Sequence, residues 1–186
     1  MPFRSFRFLN ILLDFPQLSP YTWQYVPNRE ISFARIQEPK HRSPFLAPMN
    51  KTSIMLEIPC NKGDEIWNAD QKSLFQRAIS ELKDLGFDIE NHVIDYFCTN
   101  AEHGIPIGMV NIKEHQQKAY QALRTFKNVS TAGRQGFFTY IFSNSAMEMG
   151  MKAGQYIHQV YLKKVAPDTY SYMRFHSDFD VTAEAV

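Results

Sequence analysis

Cysteine and charge of a single sign are what this sequence has least of. Its two cysteines, Cys60 and Cys98, form no C-x-x-C pair, so no disulfide framework is legible. Free thiols in a reducing compartment are the plain reading, and a cytoplasmic location is expected. The formal net charge is only +1 and no long run of like charges exists, which argues against a basic face for nucleic acid. The histidines are scattered, with no i, i+4 pair and no His/Cys cluster, so no metal site is expected. No Ser-His-Asp or Cys-His arrangement can be defended, and the sequence names no catalytic residue. Long apolar runs are missing too. The stretch from Phe8 to Leu13 is interrupted by Asn10 and followed by Asp14 and Pro16, too short and broken for a signal peptide or a membrane span.

What is present suits a folded core. The chain has 186 residues, 44% of them hydrophobic and 14% aromatic, enough for one sizeable domain or a domain plus an appendage. The abundant Phe and Tyr suggest that some aromatic surface lines a pocket. Residues 5 to 38 read as β-rich. Phe6, Phe8 and Leu12 fall on one alternation with apolar residues on the other, which predicts a strand buried on both faces. Thr22–Val26 is a second strand candidate. Ile31, Phe33 and Ile36 suggest a third, ended by Pro39. Pro39–Pro48 reads as a polar, proline-bearing loop, and Ser53–Ile58 as a fourth strand stopped by Pro59. Asp70–Leu85 is the clearest helix, with Leu74, Phe75, Ala78, Ile79, Leu82 and Leu85 in one stripe and Gly86 at the C-terminal position. Ile89–Asn100 returns to extended character, and Glu102–Gly108 reads as an irregular loop. Asn111 with Glu114 makes a capping-box-like start for a helix whose apolar side carries Ala119, Tyr120 and Leu123. A short strand at Val129–Ala132 and a long helix over 144–162 follow. Strands first, then strands mixed with helices, indicate an α+β (mixed α/β) fold.

The segment with most chemistry is Val129–Tyr140, running on to Asn144 and Ser145. A short apolar strand ending in Ala132-Gly133-Arg134-Gln135-Gly136, with a small-residue helix soon after, aims backbone N–H groups, a helix N-terminus and an arginine at one point. That arrangement suits a phosphate-bearing cofactor. Asn144 or Ser145 is the expected helix cap. The same pattern also fits an ordinary strand-to-helix turn with a solvent-facing arginine, because short glycine motifs recur by chance. Ala146, Gly150, Ala153 and Gly154 lie on one face of the last helix. Two helical glycines cost roughly 1 kcal/mol each relative to Ala, so close packing against a neighbour or a cofactor should compensate. Met147, Met149 and Met151 read as core or pocket filler. Trp23, Tyr25 and Arg35, on neighbouring strands, fit either an aromatic wall with a charge handle or ordinary sheet packing. Ile105 and Pro106, in a glycine-flanked stretch, fit either backbone presented to a ligand or a connecting loop, and His103 is expected to be exposed.

Ala132-Gly133-Arg134-Gln135-Gly136, then Tyr140, then the helix with Gly150 resemble the C-terminal flavin-binding motif of the FAD-dependent amine oxidase superfamily, which includes protoporphyrinogen oxidase and UDP-galactopyranose mutase. Thr22–Pro27, Arg35-Ile36, Ala47-Pro48 through Ile54–Glu57 and Ile105–Ile107 are similar, in order, to the substrate-domain half of such enzymes. The resemblance covers roughly residues 5 to 160. It implies a largely antiparallel substrate-domain sheet with packed helices over 1–128, a flavin-contacting strand, loop and helix over 129–162, and a tail over 163–186. It implies FAD held by Gly133, Arg134, Gly136, Tyr140, Asn144, Ser145 and Ala146, with Ile105 and Pro106 near the flavin and Trp23, Tyr25 and Arg35 toward a small-molecule substrate. The family's N-terminal G-x-G-x-x-G has no counterpart in this chain. The resemblance therefore implies a C-terminal portion whose partner is a missing Rossmann half, with little or no flavin held by this chain alone, and with uncovered apolar surface prone to self-association. Three positions depart from the family pattern: Phe142 where many relatives have Asn, Asn144 where they have Asp, and Ile105 where a tyrosine commonly precedes the proline. Two other readings stay open, a flavoenzyme of the sugar-mutase kind and a non-catalytic sheet-based binding or oligomerisation module.

Overall fold

The structure, a computed structural model, describes residues 2–123, 125–126 and 129–164. They form two compact units, one of Phe3–Gly104 and one of Pro2 with the described residues from Ile105 on. The chain is a mixed α+β fold, as its order of elements predicts.

The first unit is built on a five-stranded antiparallel sheet in the order β2-β3-β4-β1-β5, from β1 (Phe3–Leu13), β2 (Trp23–Tyr25), β3 (Arg35–Gln37), β4 (Thr52–Cys60) and β5 (Val93–Pro106). Register decides the faces. Leu9 sits opposite Leu56 and Ile11 opposite Ile54, so the two central strands turn one apolar set to the same side. On that side they meet Ile36 of β3 and helix α2 (Gln71–Asp84), which contributes Leu74, Ala78, Ile79 and Leu82. The other face carries Phe8, Asn10, Met55, Glu57, Arg35, Gln37, Trp23 and Tyr25. A short helix, α1 (Glu65–Asn68), precedes α2.

Local chemistry explains the boundaries. Asp70 caps α2 by accepting the Ser73 N–H, and Gly86 ends it with φ +90, a conformation that favours glycine. Phe87 N–H then reaches the Leu82 carbonyl at 2.8 Å and Gly86 N–H the Lys83 carbonyl at 2.9 Å, the paired bonds of a Schellman ending. Three expectations are corrected. The third strand is only Arg35–Gln37, because a turn closed by Ile31 N–H on the Asn28 carbonyl occupies the residues before it. β4 runs through Pro59 to Cys60. The Glu57 carbonyl faces β3 and Pro59, two residues on, faces the same way, but β3 ends at the register of Glu57, so the absent N–H breaks no ladder bond. β5 continues through the stretch expected as a loop. Gly104 makes that continuation fit, since a Cβ there would lie 2.7 Å from the Phe6 ring and 3.1 Å from the Arg4 carbonyl.

The second unit contains α3 (Ile112–Leu123), α4 (Gly133–Phe137) and α5 (Ser143–Tyr161). Phe137, Ile141 and Met149 form its buried cluster, with Tyr120, Ala146, Ala153 and Tyr156 packed against them. Val129–Ala132, expected as a strand, joins no sheet, and Gly133–Gly136, expected as a loop, is the short helix α4. Gln116 Nε2 and the Tyr120 hydroxyl donate to the Phe137 carbonyl at 3.0 and 2.9 Å, which satisfies the helix end that a strand would not have needed. Apart from Lys163 and Lys164, the tail expected over 163–186 lies outside the described residues. No helix among the described residues is long and apolar enough to cross a membrane.

Candidate functional site

The outer face of the first unit's sheet gathers the aromatic and charged residues singled out in β2 and β3. Antiparallel register places Tyr25 opposite Arg35 and Trp23 opposite Gln37, so all four share one side. Arg35 donates to Glu57 at 2.6 Å and to the Tyr25 hydroxyl at 3.3 Å, with its guanidinium 5.5 Å from the centre of the Tyr25 ring. Gln37 donates to the same Glu57 oxygen and accepts from Arg42. Burial pulls the Arg35 pKa down, but the bond and charge of Glu57, with Tyr25 adding to them, carry it above its ordinary value. The guanidinium is therefore a fixed cation held in place by a carboxylate below it. Trp23 is 49% exposed and Tyr25 71%, so both rings are open to solvent on this face. Chemically, the surface offers a flat aromatic wall and an oriented cation, suited to a ligand with a ring and an anionic group.

Sequence reasoning missed Gln37, Arg42 and Glu57 as members of this network. The signal was present: Glu57 is the lone acid in the strand Ile54-Met55-Leu56-Glu57-Ile58, on the alternation that leaves the core.

In the second unit the glycine-arginine segment builds a compact knot. Gly133 opens α4 with φ +79, and nothing lies within 4 Å of where its Cβ would be. Gly136 has the opposite surroundings: a Cβ there would meet Thr131 Cβ at 3.2 Å, so its smallness serves packing. Arg134 turns back on its own loop. It donates to the Ile141 carbonyl at 3.0 Å, and its guanidinium lies 4.4 Å from the centre of the Tyr140 ring. Tyr140 is 54% exposed and stands edge-on to Phe142 at 6.0 Å. The side-chain oxygen of Thr131 is buried without a hydrogen-bond partner beside this turn.

Neither Asn144 nor Ser145 caps α5. Phe142 occupies the N-cap position and offers no side-chain acceptor, Asn144 is exposed at the second helical position, and Ser145, third, is 2% exposed. One further residue of helix at the N-terminus moves both polar side chains off the cap. Ala146, Gly150, Ala153 and Gly154 also divide. Ala146 and Ala153 pack inward with Met149 and Tyr156 at spacings of three and four, while Gly150 and Gly154 are exposed with nothing within 4 Å of their Cβ positions. Met147 and Met151, expected as filler, are 69% and 65% exposed; Met149 alone of the three is buried. Ile105 is partly buried and Pro106 buried at the end of β5, and His103 is exposed, edge-on to Phe3 at 5.0 Å.

What this unit would offer an anionic group is backbone, at Gly133 and at the start of α5. Gly133 leaves open space and the α5 N-terminus has no side-chain cap, whereas the Thr131 hydroxyl is itself buried. Arg134, committed to the Ile141 carbonyl and Tyr140, positions the turn instead.

No family model matches the chain, and no curated protein sequence does. Solved structures do. The reduced form of a UDP-galactopyranose mutase superposes with a TM-score of 0.68 at 18% identity, over 94% of this chain and 36% of the mutase. A protein from Exiguobacterium sp. 255-15, assigned as a protoporphyrinogen oxidase, superposes with a TM-score of 0.55 at 16% identity, over 66% of this chain and 28% of its own length. The chain thus spans about a third of these structural neighbours, and the likeness is one of fold alone.

Proposed function

We propose that this chain is the substrate-sheet and C-terminal flavin-contacting part of an FAD-dependent oxidoreductase. The observation that carries the reading is the outer sheet face, where Arg35 is fixed by Glu57 beside exposed Tyr25, with exposed Trp23 on the same side, on a sheet of mutase-like fold. In this reading Trp23, Tyr25 and Arg35 take a small-molecule substrate with a ring and an anionic group. Gly133 and the first turn of α5, Asn144 to Ala146, contact FAD through backbone N–H groups, and Tyr140, held by Arg134, borders the same turn. Ile105 and Pro106 lie toward the flavin. The bound flavin supplies the electron or hydride chemistry, and this chain supplies binding and orientation. Its partner is a dinucleotide-binding half bearing G-x-G-x-x-G.

A second reading, a flavoenzyme whose overall reaction is a sugar rearrangement, is favoured by the higher TM-score and fuller coverage of the mutase neighbour.

The test is reconstitution. The purified chain should be colourless in the presence of FAD after gel filtration. Mixed with a dinucleotide-binding half of a related flavoenzyme, it should co-elute with yellow flavin absorbance, and Gly133→Val should abolish that. Stoichiometric flavin on this chain alone, or no flavin with any such half, overturns the reading. On a reconstituted enzyme, turnover of nucleotide-sugars against amines or porphyrinogens separates mutase from oxidase.

A further inference from the structure

We infer that the segment Pro44–Met49 is a docking loop for the surface of a lipid bilayer bearing anionic headgroups. The inference is independent of the flavin reading and rests on a different part of the first unit.

The sequence there is Pro44-Phe45-Leu46-Ala47-Pro48-Met49, six residues without a polar side chain. In a short loop such residues usually fold back onto the core. Here they do not: Phe45 is 95% exposed, Met49 90% and Leu46 56%. A side chain that almost nothing touches stands out from the surface, and three together make an apolar tip with no compensating contact in the described chain.

The tip is not loose at its base. Lys40 donates its ammonium to four backbone carbonyls, those of Pro16, Pro48, Met49 and Lys51, at 3.1, 2.9, 2.8 and 2.6 Å. This ties the exit of the loop to the segment after β1. At the entry, Ser43 accepts the Phe45 N–H and caps a 3-10 turn over Pro44–Leu46. The chain therefore holds its apolar tip outward by specific bonds, and an ordered presentation of this kind needs a partner to repay the exposure.

Charge selects the partner. From Pro39 to Leu56 there is no Asp or Glu, while Lys40, His41, Arg42 and Lys51 flank the tip; from Phe15 to Arg29 acids are again absent. The nearest acid in sequence, Glu38, is 2% exposed and spends its oxygens on the N–H groups of Leu18 and Ser19 and the Thr52 hydroxyl. The segment 19–22 lies beside this base, through the Glu38 N–H on the Thr22 carbonyl and the His41 ring on the Ser19 carbonyl, and it brings Tyr21, 59% exposed. An apolar tip, a basic collar without acids and a tyrosine at its rim match the layers of an anionic bilayer surface, from acyl boundary to headgroup.

The experiment is co-sedimentation of the purified chain with vesicles of phosphatidylcholine alone and of phosphatidylcholine with phosphatidylglycerol. The chain should sediment with the anionic vesicles, less with the neutral ones, and less again as salt rises. Phe45→Ser with Met49→Ser should weaken that binding about tenfold or more, since the loss of one buried large apolar side chain is already worth that factor. Both positions are exposed, so an unchanged circular dichroism spectrum and melting midpoint show that the variant is folded. Met147→Ser with Met151→Ser, on the exposed face of α5, should leave vesicle binding intact. The inference is overturned if the chain ignores anionic vesicles, which would leave the loop to a protein partner, if the Phe45/Met49 variant binds as well as the parent, or if the α5 variant is the one that loses binding.

Discussion

Between Phe3 and Gly104, two long strands and a third interdigitate with α2, and Leu9, Ile11, Leu13, Ile54, Leu56, Ile58 and Leu82 are fully or almost fully withdrawn from solvent. From Ile105 on, the described chain closes around Phe137, Ile141 and Met149, while Phe142, Met147, Met151, Ile157 and Tyr161 stay exposed. A layer that buries one face of a sheet against a helix supplies its own hydrophobic free energy. A helix whose inward stripe meets a small cluster, and whose outward side carries methionines and two glycines, does not supply enough by itself. The first unit thus carries the main core of the described residues, and the second buries only a small cluster.

The sharpest way to break this contrast is to truncate each core. Leu56→Ala should cost about 2–5 kcal/mol in urea unfolding followed by strand signals. Met149→Ala should leave that transition in place and speed hydrogen exchange only in α3, α4 and α5. Equal loss of the sheet transition in both variants would show one cooperative unit. Next in size is Gly104→Ala, which drives a Cβ to 2.7 Å from Phe6 and should destabilise the sheet by about 1–3 kcal/mol. A neutral melting curve would show that β5 is not packed this tightly.

A smaller effect is expected at the start of α2. The Ser73 hydroxyl and N–H, together with other backbone N–H bonds, hold the Asp70 carboxyl below its usual range. A folded pKa below the unfolded one contributes stability that is complete above the unfolded value and lost as pH falls through the folded one. Asp70→Asn should therefore flatten the acid side of the stability profile and leave the neutral-to-alkaline side parallel to the parent; an unchanged acid limb would contradict the cap. The smallest effect belongs to Met147→Ser with Met151→Ser. Stability should move by no more than about 0.5 kcal/mol, because both are exposed. Self-association at high concentration should fall, and light scattering reads the difference.

Legibility followed periodicity. α2 announced itself through Leu74, Ala78, Ile79 and Leu82, its aspartate cap and its terminal glycine, all local signals. β1 and β4 were visible as strands, but β1, expected to be buried on both faces, buries Leu9, Ile11 and Leu13 fully and Phe8 and Leu12 only in part. Pro59 misled because it was read as a strand end and Gly104 because it was read as part of a loop, whereas Pro59 lies beyond the reach of β3 and Gly104 fits closely against the Phe6 ring. In the glycine-arginine segment the residues were found but their geometry was not. Whether Arg134 meets a ligand or its own turn depends on the Ile141 carbonyl and Tyr140, and a motif carries no such information. The network of Glu57, Gln37 and Arg42 around Arg35 joins residues 35 to 57 across the β3–β4 pair, and register brings Arg35 to Glu57.

By itself the sequence determined the class of fold, the main helix and strands of the first unit, and the presence of an aromatic-cationic set in β2 and β3. These depend on interactions within a few residues, where spacing dictates which side chains share a face. Tertiary structure alone decided that Trp23, Tyr25 and Arg35 form an exposed wall over Glu57, that Gly133 is open while Gly136 is packed, and that the loop bearing Phe45 and Met49 is tied at its ends by Ser43 and Lys40. Those outcomes depend on how turns fold back and how strands register, from Thr131 against Gly136 to Arg35 against Glu57, which no periodic pattern encodes.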